Sequence, residues 1–74
     1  MAVTRTLAVK LYRRILSELE ARLAVIEQGQ LGREHLAGML SAVRRVQGDC
    51  QRQTQADRNR ANDLERAIES AIAA

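Results

Sequence analysis

The sequence Glu27-Gln28-Gly29-Gln30-Leu31-Gly32-Arg33-Glu34 interrupts what would otherwise be one long helix. Gly29 follows Ile26, the last residue of a regular apolar pattern, and a glycine in this position favours the left-handed cap that ends a helix. A second glycine, Gly32, lies three residues further on. The stretch therefore predicts a bend over residues 29–32 that joins two antiparallel helices into a hairpin.

The composition of the 74-residue chain indicates a single all-α domain. It has no Pro, Phe or Trp, one Tyr and twelve Ala, whereas strands favour aromatic and β-branched residues. Of the 18 Leu, Ile and Val residues, 15 lie at or before Val46. Because a short chain buries little of its surface, the C-terminal third needs something to pack on. That support is the first hairpin, a second copy of the chain or a different protein.

Two helices with apolar residues at alternating spacings of three and four are predicted to form the hairpin. The first covers about residues 4–28 and the second about residues 33–47, with Met39 and Val46 beside the apolar stripe of the second. Such spacing favours coiled-coil-like packing of one helix on another. The predicted hairpin seam consists of Val9, Tyr12, Leu16, Leu19, Leu23 and Ile26 on the first helix and Leu36, Leu40 and Val43 on the second.

After the second helix the chain becomes polar over residues 48–60. A loop at Gly48 and Asp49 is one reading, but Gln, Arg and Ala tolerate a helix, so a nearly continuous helix is favoured. The apolar period returns in a C-terminal helix over about residues 61–73. The expected fold is therefore an antiparallel helical hairpin with a C-terminal helical extension.

A second apolar row widens the apolar arc of the first helix beyond what one neighbouring helix covers. One explanation is that the C-terminal helix covers this row in a three-helix packing. The other is that the row is a docking surface for another protein or for a second copy of the chain. The residues predicted to bind the partner are Leu7, Leu11 and Ile15, together with Leu64, Ile68 and Ile72 of the C-terminal helix.

No arrangement of residues indicates catalysis, a cofactor or a metal site. His35 is the only histidine, and no pattern of a base and an orienting acid surrounds any serine. Cys50 is the only cysteine, so no disulfide forms within the chain and a reducing, cytoplasmic location is favoured. The sequence contains no run of about 18 apolar residues, so it predicts no membrane span. We expect a protein that is at most a non-catalytic subunit of an enzyme complex.

The basic residues support an alternative function. Eleven of the twelve are Arg, and an Arg-rich helical dimer would neutralise the phosphates of nucleic acid. No aromatic residues accompany them for base stacking, which favours protein binding over this alternative. The basic first 17 residues also fit a membrane surface less well than a partner helix. The candidate nucleic-acid contacts are Arg44, Arg45, Arg52, Arg58 and Arg60.

Two motifs and two single residues follow the pattern of a known family. Ile15-Leu16-Ser17-Glu18-Leu19-Glu20 is similar to a Leu-x-Glu-Leu-Glu pattern in that family's first helix, and Ile26-Glu27-Gln28-Gly29-Gln30-Leu31 to its Leu-Glu-x-Gly-x-Leu bend. Glu34 falls where the family has an acid that opens the second helix, and Cys50 where many members have a cysteine. On these residues, the segment 12–64 resembles the small subunit of bacterial exonuclease VII.

This resemblance implies a non-catalytic subunit that clasps a long helix of a nuclease large subunit. The chain departs from the family in being basic, and in having Leu40-Ser41-Ala42-Val43 where the family has an aromatic-Glu-x-Gly step. A short hairpin with a polar tail is also similar, more loosely, to the co-chaperones of type III secretion needles. Small phage- or plasmid-encoded inhibitors of host proteins share the same outline.

Overall fold

A computed structural model describes residues 7–74 of the chain as three helices. They are α1 (Val9–Glu27), α2 (His35–Asp49) and α3 (Gln55–Ala73). Between residues 7 and 74 no strand is present, and the all-α prediction is confirmed.

Successive helices run in opposite directions. Arg13, near the start of α1, bonds Asp57, near the start of α3, so these two helices are parallel. Gln47, in the last turn of α2, bonds Asn62 in the first half of α3, so α2 and α3 are antiparallel. α3 packs most closely on α2 and also on α1. The expected extension therefore folds back onto the hairpin, and the result is a three-helix bundle.

The bend after α1 has the predicted glycine cap. Gly29 has a φ of 77°, in the left-handed region that glycine adopts without strain. The N–H of Gly29 donates to the carbonyl of Ile26, and the N–H of Gln30 donates to the carbonyl of Val25. These two bonds form a Schellman motif, which satisfies carbonyls that the end of a helix leaves free.

The core lies along the inner sides of all three helices. Val9 and Leu40 of the predicted seam are only half-buried, whereas Met39 and Val46 are buried. A helix between two neighbours buries a wider arc than a two-helix seam, and α2 packs on both α1 and α3. The buried apolar residues are Tyr12, Leu16, Leu19, Leu23, Ile26, Leu36, Met39, Val43, Val46, Cys50, Ala61, Leu64 and Ile68.

Residues 48–60 do not form the nearly continuous helix that we expected. α2 ends at Asp49, and α3 begins at Gln55. Thr54 and Asp57 cap α3 reciprocally: the Thr54 hydroxyl accepts from the Asp57 N–H, and the Asp57 carboxylate accepts from the Thr54 N–H. This capping box satisfies backbone donors that a helix start leaves free, so it favours a new helix at this position.

The other side of the same connection is held by Gln53. Its Nε2 donates to the carbonyls of Gln47 and Cys50, at 3.0 Å in each case. Cys50 itself is extended and buried, which a continuous helix would not allow at this point. Helix propensity is a weak preference, and these local bonds and the burial of Cys50 outweigh it.

The first helix starts later than the predicted residue 4. The N–H of Leu7 donates to the carbonyl of Asp49 at 2.9 Å, so Leu7 is tied to the end of α2 before α1 begins at Val9. Residues 4–6 of the predicted helix lie outside the part of the chain that the structure describes.

The remaining differences concern helix ends. The connection after α1 covers residues 28–34 rather than 29–32, so α2 begins at His35. α2 ends two residues after the predicted residue 47, and α3 begins six residues before the predicted residue 61. Differences of one or two residues are normal for helix ends, but the early start of α3 follows from the capping box.

Candidate functional site

The predicted partner-binding residues of α3 do not share one environment. Leu64 and Ile68 are buried in the core, which corrects their assignment to a partner surface. They are enclosed because α3 forms the third wall of the bundle. Ile72 remains 44% exposed near the end of α3.

The predicted apolar row on α1 is largely covered by other residues of the same chain. Leu7 and Ile15 are half-buried against the core. Leu11, between them, is 47% exposed. Because α1 and α3 are parallel, Leu11 and Ile72 lie at opposite ends of the bundle and form no single apolar surface.

Asp57 is a buried carboxylate that joins the starts of α1 and α3. Its Oδ1 accepts from Arg13 Nε at 2.9 Å, and its Oδ2 accepts from Arg13 Nη2 at 3.1 Å. The Thr54 hydroxyl and N–H also donate to Oδ2. The hydrogen bonds from Arg13, with those from Thr54, hold the pKa of the Asp57 carboxyl well below its usual range. The Asp57 carboxylate therefore stays charged and links the start of α1 to the start of α3.

Two of the predicted nucleic-acid contacts are engaged within the bundle. Arg60 donates from Nε to Glu20 Oε2 at 3.0 Å and from Nη2 to Glu20 Oε1 and Ser17 Oγ. This pair lowers the pKa of the Glu20 carboxyl. Arg44 donates to Glu65 Oε2 at 2.9 Å. Arg44 and Arg60 thus join helices of the bundle, and contact with nucleic acid at either position, which would compete with these ion pairs, stays a prediction.

The other three predicted contacts are more available. Arg45 is 3.9 Å from Asp49 in an exposed pair. Arg52 and Arg58 are exposed, and neither has an ion pair or a side-chain hydrogen bond within residues 7–74. They do not form one helical stripe, because the connection after Cys50 separates Arg45 from Arg58.

A groove runs along the outside of the bundle between α1 and α3. It contains two cavities of about 590 and 540 Å³, whose linings share Glu27 and Ala67. We call this surface the α1–α3 groove. It spans about 22 Å from Ala56 to Ala71, which is the length of about four helical turns.

The groove has an apolar floor and low walls. Leu23, Ile26, Leu36 and Leu64 form the floor and are themselves core residues. The walls combine small side chains, which let another helix approach closely, with larger polar ones. The small wall residues are Ala24, Ala56, Ala67, Ser70, Ala71 and Ala74, and the polar ones are Glu20, Glu27, Arg33, Asn59, Arg60 and Asp63.

The charges along the groove leave two carboxylates without a close partner. Arg60 is matched by Glu20, and Arg33 donates to the carbonyls of Ala71 and Ala74 at the end of α3. Glu27 has no ion pair in the described chain. Asp63 has only an exposed pair with Arg66 at 3.9 Å. The free charge of the groove is therefore negative.

The sequence contained a signal for this groove that an analysis of large apolar residues misses. Along α3 and its C-cap Ala74, six of the nine lining residues (56, 60, 63, 67, 71 and 74) follow one another at spacings of three and four. That spacing defines a second helical face beside the core face. Its members are mostly alanines, and alanine is equally common on exposed helix surfaces.

The structure brings no catalytic group together in the part that it describes. Residues 7–74 hold no group of three metal-ligating side chains, and His35 is exposed. The Tyr12 hydroxyl is buried without a hydrogen-bond partner in this range, and burial raises its pKa. Cys50 is a buried free thiol. No helix in this range has the length and apolar character needed to cross a membrane.

Comparison with protein-family models, curated proteins and solved structures gave no match.

Proposed function

We propose that this chain is a non-catalytic helical protein that binds one helix of a different protein in the α1–α3 groove. The observation that carries the proposal is the groove itself: it is about four turns long, its floor is apolar, and its walls combine alanines with charged side chains. Amphipathic helices bind in such grooves with residues at spacings of three and four as anchors. The bound helix would become a fourth helix of the bundle.

The charges of the groove define the partner further. Glu27 and Asp63 are the carboxylates without a close partner, and they lie on opposite sides of the groove. A helix with an apolar face and flanking Lys or Arg residues complements them, whereas acidic flanks would be repelled. The partner is thus a basic amphipathic helix.

The position of the groove distinguishes this mode of binding from a clasp. The inner faces of α1 and α2, which a two-helix clasp would present to a partner, are covered by Leu64 and Ile68 of α3. The partner helix therefore docks on the outside of the bundle. An accessory subunit of a nuclease, a secretion co-chaperone or a bacterial or phage inhibitor would each work in this way. A cytoplasmic location fits the buried free thiol of Cys50.

Site-specific photo-crosslinking tests this proposal in cells that produce the full chain. The crosslinker p-benzoylphenylalanine replaces Ala24 or Ala56, which are exposed and line the groove. Ala21 and Ala37 are exposed alanines outside the lining of the groove, and they serve as matched control positions. We expect one partner from the groove positions alone, crosslinked through a segment with basic flanks.

Charge variants give an independent test of the same complex. Replacing Glu27 and Asp63 by Lys should reduce the crosslinking yield at least about tenfold, because basic flanks then meet like charges. The same replacements at exposed Glu18 and Glu69 alter the net charge equally and should leave the yield unchanged. Equal crosslinking from all four alanine positions, crosslinks to a second copy of this chain, or no crosslink would overturn the proposal.

A further inference from the structure

The bundle gathers positive charge at one end. This end consists of the start of α1, the end of α2 and the start of α3, that is, residues 7–16 and 42–58 (the basic end). It holds seven basic residues and two acids, Asp49 and Asp57, for a net charge of +5. The rest of the described chain has seven acids and four bases, for a net charge of −3. The chain is therefore strongly bipolar.

Most bases of the basic end are free to contact a ligand. Arg13 and Arg44 are committed to Asp57 and Glu65. The other five come from all three helices and one connection. Lys10, Arg52 and Arg58 are exposed and have no ion pair within residues 7–74, and Arg14 and Arg45 have only loose pairs at 3.4 and 3.9 Å with exposed acids. The five available bases are Lys10, Arg14, Arg45, Arg52 and Arg58.

We infer that the basic end binds the phosphate backbone of duplex nucleic acid without reading its sequence. Four of the five available bases are Arg, whose guanidinium forms paired hydrogen bonds with phosphate oxygens. The chain has no Phe or Trp and its one Tyr, Tyr12, is fully buried, so none of these side chains is available for stacking on the bases of a single strand. Phosphate contacts alone provide affinity but no sequence readout.

The structure favours nucleic acid over a membrane surface. A membrane-binding helix inserts its apolar face between lipids, but the apolar face of α1, with Tyr12 and Leu16, is enclosed in the core. Leu11 is the one large hydrophobic residue that remains well exposed at this end. The available interaction is therefore electrostatic.

Fluorescence anisotropy with a labelled duplex of about 20 base pairs tests the inference at about 50 mM salt and then at rising salt. The full chain should bind, and log Kd should rise linearly with log salt. Replacing Arg52→Gln and Arg58→Gln together removes two phosphate contacts. We expect affinity at about 50 mM salt to fall at least about tenfold and the salt slope to decrease by about two.

A matched variant separates the basic end from net charge alone. Arg22→Gln with Arg66→Gln lowers the net charge by the same amount at exposed positions outside the basic end, and should change Kd less than about twofold. Circular dichroism checks that both variants keep their helices. Four results would overturn the inference: no binding at low salt, equal losses in both variants, tighter binding to anionic lipid vesicles, or salt-sensitive self-association in place of duplex binding.

Discussion

Gly29 and Gly48 are glycines with opposite roles in neighbouring helices. Gly29 ends α1 with a φ of 77°, a conformation that costs other residues roughly 1–2 kcal/mol. Gly48 lies within α2, and a Cβ placed there meets nothing within 4 Å. We expect Gly29→Ala to destabilise the fold by roughly 1–2 kcal/mol and Gly48→Ala to stabilise it by up to about 1 kcal/mol. Urea unfolding measures both, and the same sign of change for both would contradict this account.

Asp57 predicts how the stability of the bundle depends on pH. Its folded-state pKa lies below the unfolded value of about 3.9, so its contribution is complete above that value. As pH falls below about 4, the unfolded state takes up the proton first, and stability is lost towards the folded-state pKa. Glu20, whose pKa Arg60 lowers, adds to the loss in the same direction.

The test compares Asp57→Asn with Asp63→Asn by thermal unfolding between about pH 3 and 7. Asp57→Asn should lower stability at neutral pH and flatten its decline in acid, since the ion pair with Arg13 is already absent. Asp63 has only an exposed pair with Arg66, so its variant should follow the parent protein. A decline in acid that is equally steep with and without Asp57 would exclude this role.

Where large apolar side chains recur at helical spacing, the sequence predicts individual core residues correctly. Tyr12, Leu16 and Val43 were expected on the seam, and all three are fully buried. The role of Asp57 was not predictable in the same way. Its partner Arg13 lies 44 residues earlier, and only the packing of α3 beside α1 brings the two together.

At the scale of elements, the break between α2 and α3 shows where helix propensity fails. Thr54-Gln55-Ala56-Asp57 is a capping-box pattern that was present in the sequence. Sequence analysis favoured a continuous helix because Gln, Arg and Ala tolerate one. The bonds from Gln53 to the carbonyls of Gln47 and Cys50 depend on a folded turn, and no local pattern indicates them.

Ile68 and Ile72 should respond differently to truncation because α3 buries only the first. Ile68 is fully buried, so Ile68→Ala should cost about 2–5 kcal/mol of unfolding free energy. Ile72 is 44% exposed, and Ile72→Ala should cost less than about 1 kcal/mol. Urea unfolding followed at the helix signal measures both. Similar small losses at both positions would mean that α3 does not close the core.

At the scale of the whole molecule, the candidate surfaces depend on how the three helices are arranged in the bundle. The sequence predicted helices and an apolar core but assigned Leu64 and Ile68 to a partner. Once α3 closes the bundle, the exposed features are the α1–α3 groove and the basic end. The spacing of residues on α3 indicates one side of the groove, but each surface combines residues from separate helices, so no single linear pattern specifies it.

Alanine-methyl NMR tests the central claim most directly, that the α1–α3 groove accepts a basic amphipathic helix. The probe is a synthetic helical peptide with a Leu and Ala face flanked by Lys, and the control peptide carries Glu in place of Lys. We predict saturable shifts of the Ala24, Ala56, Ala67 and Ala71 methyls with the Lys peptide, weaker shifts with the Glu peptide, and none at Ala37. Shifts centred on Ala37, or no shifts at saturating Lys peptide, would contradict the account.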